Sequence, residues 1–295
     1  MKSLIDGIDF KYINNALRDE AVRTSYFQLV QQIYGLDFEK LFQSGHWDNR
    51  FIPYIIMHKE KVISSVAVCI NDIVWMNQRK RYLQISTVMT LPEYRNKGFN
   101  RFLMDAVISE WNDKCDSIYL LANDSVVNFY PKFDFEKFYE YQYSKSIINS
   151  DGVYRRLDIE DPDDWRLILK KYLFGNPFSE ITVDNKSLFI FHCLNSFSKN
   201  IYYIEKYDAV VIVKFENNIL NCYDIFTDNN IQLDAIISVM ADKSTKVTRL
   251  GFTPKSKEHY SNEILLEPDT HLFVLKGKEN IFNDNRIMFP LLSRA

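Results

Sequence analysis

Structure-breaking residues are scarce in this sequence, with only 8 Gly and 8 Pro in 295 residues. That scarcity excludes collagen-like and linker-dominated chains and favours ordered elements joined by short loops. Cysteine is sparse as well. Cys69, Cys115, Cys193 and Cys222 are scattered without disulfide or metal spacing, as expected of plain thiols in a reducing compartment. The five histidines, His46, His58, His192, His259 and His271, show no mutual spacing suited to a metal, so no metal is expected. No window approaches the roughly 18 uninterrupted apolar residues that would suggest a membrane span. The start, Met1 to Asp6, meets an acid before any apolar stretch, unlike a secretory leader. A cytoplasmic protein without a membrane partner is expected. The net charge of −3 offers no general attraction to nucleic acid.

What is present is bulk for a core. Hydrophobic residues make up 46% of the chain, with 22 Phe and 18 Tyr, and the length suits two ordinary domains. Residues 11–44 read as largely helical, with Leu17, Val22, Tyr26, Leu29, Val30 and Ile33 on one apolar face. Strand pairs follow at Phe51 to His58 with Val62 to Ile70, and at Asp72 to Met76 with Arg81 to Thr90. The expected turns are Lys59–Lys61 and Asn77–Lys80. Tyr139 to Ile148 would supply a closing strand. The polar run Asn149-Ser150-Asp151-Gly152 is the best boundary, dividing the chain into residues 1–149 and 150–295. The second half reads as a helix near Pro162 to Tyr172, then strands at 202–207, 209–216 and 219–226. A helix at 231–240 and strands at 245–252 and 271–275 complete it, with an apolar tail at Ile287 to Leu292.

The most informative stretch is Thr87 to Arg101, TVMTLPEYRNKGFNR. A β-rich run is broken by Pro92, and apolar positions Phe99, Leu103, Ala106 and Val107 then mark one helix face. Gly98 sits where that helix begins. A helix start carries unpartnered N–H groups and the positive end of the macrodipole. Arg95, Lys97 and Arg101 add positive charge, and glycine lets a ligand approach the backbone closely.

Arg95-x-x-Gly98-x-Asn100 resembles the coenzyme A loop of the GNAT superfamily of N-acetyltransferases, Q/R-x-x-G-x-G/A, with Asn100 where glycine or alanine is usual. Arg95, Gly98 and Arg101 together are similar to the variant in two-lobed acetyltransferases of the "enhanced intracellular survival" group. A second segment, strand 117–122 followed by Asn123 and Tyr130, is similar to the family's strand–Asn–helix–Tyr segment. There Val126 stands for the small residue, Asp134 for a glycine, and Pro131 follows the tyrosine.

The resemblance implies an α+β fold, a mixed, mostly antiparallel sheet flanked by helices. Residues 1–149 would carry the acetyl-CoA site. Residues 150–295 would form a second, degenerate acetyltransferase-like lobe, because Phe226–Asn230 offers no glycine and no basic residue. It also implies roles. Arg95, Asn96, Lys97, Gly98, Phe99, Asn100 and Arg101 would grip the pyrophosphate, and Val88, Met89 and Thr90 would pair with the pantetheine. An N–H near Met89 or Thr90 would face the oxyanion, Asn123 would contact the coenzyme, and Tyr130 would protonate the leaving thiolate. The general base stays open among Glu93, Asp124, and a water held by Ser86 or Gln84. In the two-lobed group the terminal carboxylate lies near the active site, here that of Ala295.

Each of these residues has a plainer reading. The cations suit a solvated helix start, Tyr130 a core position, Asn123 a helix cap, and Arg79–Arg81 a soluble hairpin turn. The activity implied is transfer of an acetyl group from acetyl-CoA to a primary amine of a small molecule or peptide. The rival from another class is a non-catalytic acyl-CoA sensor. An acidic groove contributed by Glu39, Asp48 and Glu93 would favour polycationic acceptors.

Overall fold

The computed structural model describes residues 2–15, 17–147 and 152–295. A short hairpin, β1 (Lys2–Ile5) and β2 (Ile8–Asn14), precedes helix α1 (Glu20–Tyr34) and the single turn α2 (Glu39–Gln43). Asp19 starts α1 by accepting the N–H groups of Ala21 and Val22 at 3.0 and 3.2 Å. Gly35 ends it, with φ 68° and its N–H on the Gln31 carbonyl. Val22, Tyr26, Leu29 and Val30 are buried on the face turned to the sheet.

Strands β3 (Phe51–His58), β4 (Lys61–Trp75) and β5 (Gln78–Thr90) form an antiparallel meander. Its two turns, Lys59-Glu60 and Met76-Asn77, hold both central residues at positive φ, as a tight two-residue hairpin requires. Helix α3 (Phe99–Trp111) then crosses to β6 (Ser117–Ala122), which pairs parallel with β5. Leu103, Met104 and Val107 seal α3 onto the sheet. Strands β7 (Phe135–Phe138) and β8 (Tyr141–Ser146) follow.

The second half runs β9 (Arg155–Arg156), α4 (Pro162–Tyr172), β10 (Ile181–Asp184), α5 (Lys186–Leu194), β11 (Ile201–Ile204), β12 (Ala209–Glu216) and β13 (Ile219–Phe226). It continues through α6 (Leu233–Met240), β14 (Val247–Leu250), β15 (Ser261–Ile264) and β16 (His271–Leu275). Among the described residues the strands form two sheets. The first has order β1-β2-β3-β4-β5-β6-β16-β7, with β10 also pairing β4, and the second has order β15-β8-β14-β13-β12-β11-β9.

The two sheets exchange strands. β16, from the second half of the sequence, lies between β6 and β7, while β8, from the first half, lies between β14 and β15. Of the expected closing strand at 139–148, Tyr141–Ser146 forms a strand, but in the second sheet, and the place between β6 and β7 goes to Leu272, Phe273 and Val274. Those three residues are buried, which is why a strand distant in sequence is drawn in. The proposed boundary residues Asn149–Asp151 lie outside the described residues.

Other expectations shift locally. Residues 11–14 are strand, not helix. Arg79, Lys80 and Arg81 belong to β5 and not to a turn. Arg81 Nε and Arg50 Nη1 both reach the Asp72 carboxylate, at 3.0 and 3.1 Å, and Lys80 pairs with Glu279. In the second sheet, β13 and β14 pair parallel across α6, as β5 and β6 do across α3. No basic side chain stands before α6, and the one nearby acid, Asp228, is tied to the buried Lys171 at 2.9 Å.

Phe273→Ala in β16 should cost about 3–5 kcal/mol, the usual range for emptying a buried aromatic site. Because of the strand exchange, urea unfolding followed by probes in each sheet should show one shared transition in both proteins. A second prediction concerns Asp224, whose carboxyl is pushed up to about 7 by burial, against hydrogen bonds from Asn176 and the Ile225 amide. The native chain then holds a proton that the unfolded chain releases near pH 4, so stability falls as pH rises from about 4 to about 7. Asp224→Asn should flatten that part of the profile, as measured by unfolding free energies at either end of the window.

Candidate active site

The loop between β5 and α3 is exposed at Arg95, Asn96 and Gly98. Arg95 N–H closes a tight turn onto Pro92 O at 3.2 Å, and Phe102 N–H makes the first helical bond, to Gly98 O at 3.0 Å. Between them, the N–H groups of Asn96 through Arg101 donate to no protein acceptor among the described residues. Gly98, at φ 92°, caps α3 in the left-handed conformation without any side-chain cap. Asn96 at φ 62° turns the chain one step earlier. Successive free amides at the positive end of a 13-residue helix form an anion cradle.

The side chains around this cradle divide in role. Arg95 Nε donates to Thr90 O at 3.2 Å, and the Arg101 guanidinium lies 5.6 Å from the Phe133 ring centre. Neither pairs with a carboxylate among the described residues. Lys97 does, reaching Asp6 of the β1–β2 turn at 3.2 Å, so its charge is partly spent. Asn100 turns inward. Its Oδ1 accepts from Ser64 Oγ at 2.8 Å and Thr90 Oγ1 at 2.7 Å, which explains how a larger residue replaces glycine or alanine there. Its side chain pins α3 to β4 and β5, leaving only its backbone for a ligand.

Beside the loop, β5 parts from β6. Their parallel pairing ends at Ile85 with Leu120, while on its opposite edge β6 stays paired with β16 through Ala122. On its other edge β5 bulges, since Ser65 faces Met89 while Ala67 faces Ser86, and Thr87 sits at φ 43°. A β-branched residue in that region carries roughly 1–3 kcal/mol of strain. Tyr26 holds it, with its hydroxyl 3.1 Å from Thr87 Oγ1. Leu91 N–H bonds Ile63 O at 2.9 Å, so antiparallel alternation makes Ser65 with Met89 the next bonded pair. The amides of Val88 and Thr90 therefore face the gap, and that of Met89 faces β4. Of the two amides named from the sequence, that of Thr90 faces the gap and that of Met89 does not. The gap-side carbonyls are occupied, Val88 O by Tyr34 Oη at 2.8 Å and Thr90 O by Arg95.

The segment after β6 is not the expected helix. Asp124–Val126 and Tyr130–Phe133 are separate 3₁₀ turns, with Pro131 in the second and Asp134 closing it at φ 62°. Asn123 makes no side-chain cap, and its Nδ2 donates to Asp269 Oδ2 at 2.6 Å. Tyr130 is 5% exposed, wedged among Phe129, Phe135 and Phe273, yet its hydroxyl has no hydrogen-bond partner among the described residues. Burial raises its pKa above the ordinary value, so the phenol remains a proton donor.

That hydroxyl belongs to a cavity of about 200 Å³. Its sheet side comprises Ile85, Ser86, Thr87 and Val88 with Asn123 and Tyr130. Its far side comes from the α1–β3 connection and, unforeseen in the sequence, from α5. Ala295 reaches the same cavity. Its N–H donates to Gln84 Oε1, and Gln84 Nε2 returns a bond to Ala295 O, both at 2.9 Å. Arg294, salt-bridged to Glu140 and Glu267, and His192 Nε2 on Arg294 O fix the approach of this segment. Burial lowers His192 to about 4, so the ring is neutral and donates.

Of the candidate bases, Ser86 lines the cavity and Gln84 is committed to Ala295. Asp124 is paired with His271, and Glu93 stands exposed outside the cavity. Among the described residues no group of His, Cys, Asp or Glu is arranged to hold a metal, and no helix is long and apolar enough to cross a membrane.

Residues 23–138 match the family model of an acetyltransferase (GNAT) domain. Solved structures similar to the whole chain include a protein of unknown function from Enterococcus faecalis described as a probable N-acyltransferase. It is 16% identical, with TM-score 0.57 over 89% of this chain and 72% of that one. Eis1 from Mycobacterium abscessus gives 12%, 0.55, 89% and 72%, and a GCN5-related N-acetyltransferase from Kribbella flavida gives 14%, 0.54, 90% and 71%. At such identities the likeness is one of fold. A comparison with curated proteins gave no match.

Proposed function

We propose, taking residues 23–138 as a GNAT acetyltransferase domain, that this protein transfers an acetyl group from acetyl-CoA to a primary amine. The observation that carries the reading is the run of free amides from Asn96 to Arg101, adjoining a strand whose Val88 and Thr90 amides face an open gap. This donor set fits a thioester carried on a diphosphate. The backbone of residues 95–101 would hold the diphosphate, with Arg95 and Arg101 as unpaired countercharges and Lys97 as a shared one. The freed edge of β5 at Val88–Thr90 would pair with the amide-bearing arm as an added strand does. Asn123 has its amide nitrogen engaged by Asp269, so only its oxygen is left for contact.

The bound thioester supplies an activated acetyl carbon. In the transfer, the amine nitrogen forms a bond to that carbon, the carbon–sulfur bond breaks, and the thiol takes up the proton that the nitrogen gives up. Thr90 or Val88 N–H would face the developing negative charge, and loss of such a donor typically lowers turnover by roughly a hundred- to a thousand-fold. Tyr130 would give its proton to the departing sulfur and regain one from the proton the nitrogen releases, a role worth about a hundred- to ten-thousand-fold. Residues 1–149 would hold this chemistry, and residues 150–295 would form a lobe of the same ancestry without a coenzyme loop, contributing α5 and the Ala295 segment to the cavity.

Two variants test the assignment. Tyr130→Phe should lower the rate of thiol release from acetyl-CoA by about a hundred-fold or more while calorimetric coenzyme affinity stays within about two-fold. Gly98→Val forces a β-branched side chain into the left-handed region, 3.8 Å from Ile5 for its Cβ alone, and should weaken coenzyme binding at least about ten-fold. Wild-type binding without turnover on any amine would favour the acyl-CoA sensor instead.

A further inference from the structure

The walls of the cavity at Tyr130 carry no Asp, Glu, Lys, Arg or His side chain. Glu39, Asp48 and Glu93, the acids that could have made it a groove for polycations, do not line it. Glu39 instead accepts from Gln43 on the outer face of α2. The far wall is a lattice of rings. Phe38 stands edge-to-face at 5.5 Å from each of Trp47, Phe51 and Phe191, and Leu41 and Leu188 fill the spaces beside them. Asn185 and Ser187 at the start of α5 spend their side chains on Ile70 O, Asn71 Oδ1 and His46 O, and the other wall, where β5 and β6 part, carries Tyr130 and Ala295.

Such a chamber discriminates by desolvation. The terminal carboxylate of Ala295, on the polar wall, is there to partner one nitrogen, whereas an ammonium taken from water without a carboxylate partner costs several kcal/mol. Ring faces return about 0.5–2 kcal/mol to one cation. A ligand with one amine can set it against that carboxylate, or enter as the free base, because the apolar remainder of the site disfavours the charged form. The free base is also the nucleophilic form. A polyamine meets the cost at every further nitrogen. The size agrees, since about 200 Å³ falls below the roughly 300–1,000 Å³ of ordinary ligand clefts, so the ligand is small.

We infer that the acceptor is a compact monoamine on an aromatic or branched hydrocarbon body, an aralkylamine in type, and neither a polycation nor a peptide lysine. This rests on the transferase reading above for the word acceptor, but the ligand class follows from the walls alone. The body lies against the Phe38–Trp47–Phe191 lattice, and the nitrogen points to the β5 gap.

The test uses the full chain and two probes, 2-phenylethylamine and spermidine. Their binding is measured by calorimetry with coenzyme A present, and their turnover by thiol release from acetyl-CoA. We expect 2-phenylethylamine to bind and to turn over at least ten times more efficiently than spermidine. Leu36→Asp, which places a carboxylate at an exposed position on the cavity rim, should narrow that preference by raising spermidine affinity. Preferred binding of 2-phenylethylamine without turnover supports the ligand class and removes the transferase reading. Preferred turnover of spermidine overturns the ligand class and leaves the transferase intact. Binding of neither amine overturns the inference.

Discussion

Beyond Ile85 and Leu120, β5 and β6 no longer satisfy each other's backbone. Polar groups of a strand cannot be left buried and unpaired, so their separation must be managed group by group. β6 is held on its opposite edge by β16 through Ala122. On β5, Tyr34 takes the carbonyl of Val88 and Arg95 takes that of Thr90, while the two intervening amides are left facing the gap. The strained backbone at Thr87 lets the strand bulge against β4 so that these groups face outward. Asn100 then ties the start of α3 to both strands, which sets the free amides of the loop beside the free edge of β5. Cradle and strand edge are thus consequences of one opening in the sheet.

The opening is held by the far half of the chain. Without β16 the edge of β6 would carry unpaired groups along its length, and without β8 the second sheet would lack its link between β14 and β15. Each sheet therefore depends on a strand from the other half of the sequence. The same arrangement brings α5 and the segment ending at Ala295 to the cavity, so its wall is made by elements that lie distant in sequence from the β5–α3 loop.

The local signals were legible. Proline, the cationic glycine loop and the spacing of Phe99, Leu103 and Val107 are short-range features, and α3 begins at Phe99 as they imply. The positive φ of Asp134 was legible too, since aspartate tolerates that region. Long-range pairing was not. Nothing in Tyr141–Ser146 or His271–Leu275 distinguishes one sheet from the other, because alternating burial is the same for either partner. Thr87 at φ 43° could not be foreseen, as β-branched residues avoid that conformation unless their surroundings impose it. The aromatic wall was hidden for a similar reason. Phe38, Trp47 and Phe191 read as ordinary core residues until the fold leaves a space among them.

Amide hydrogen exchange of the full chain, with and without coenzyme A, examines the central claim most directly. The account predicts that the N–H groups of Asn96 to Arg101, with those of Val88 and Thr90, exchange rapidly in the free protein and slow markedly when coenzyme A is added. Met89, already paired with β4, should change little. Unchanged exchange at Asn96–Arg101 with coenzyme A at millimolar concentration, or slow exchange there before it is added, would contradict it.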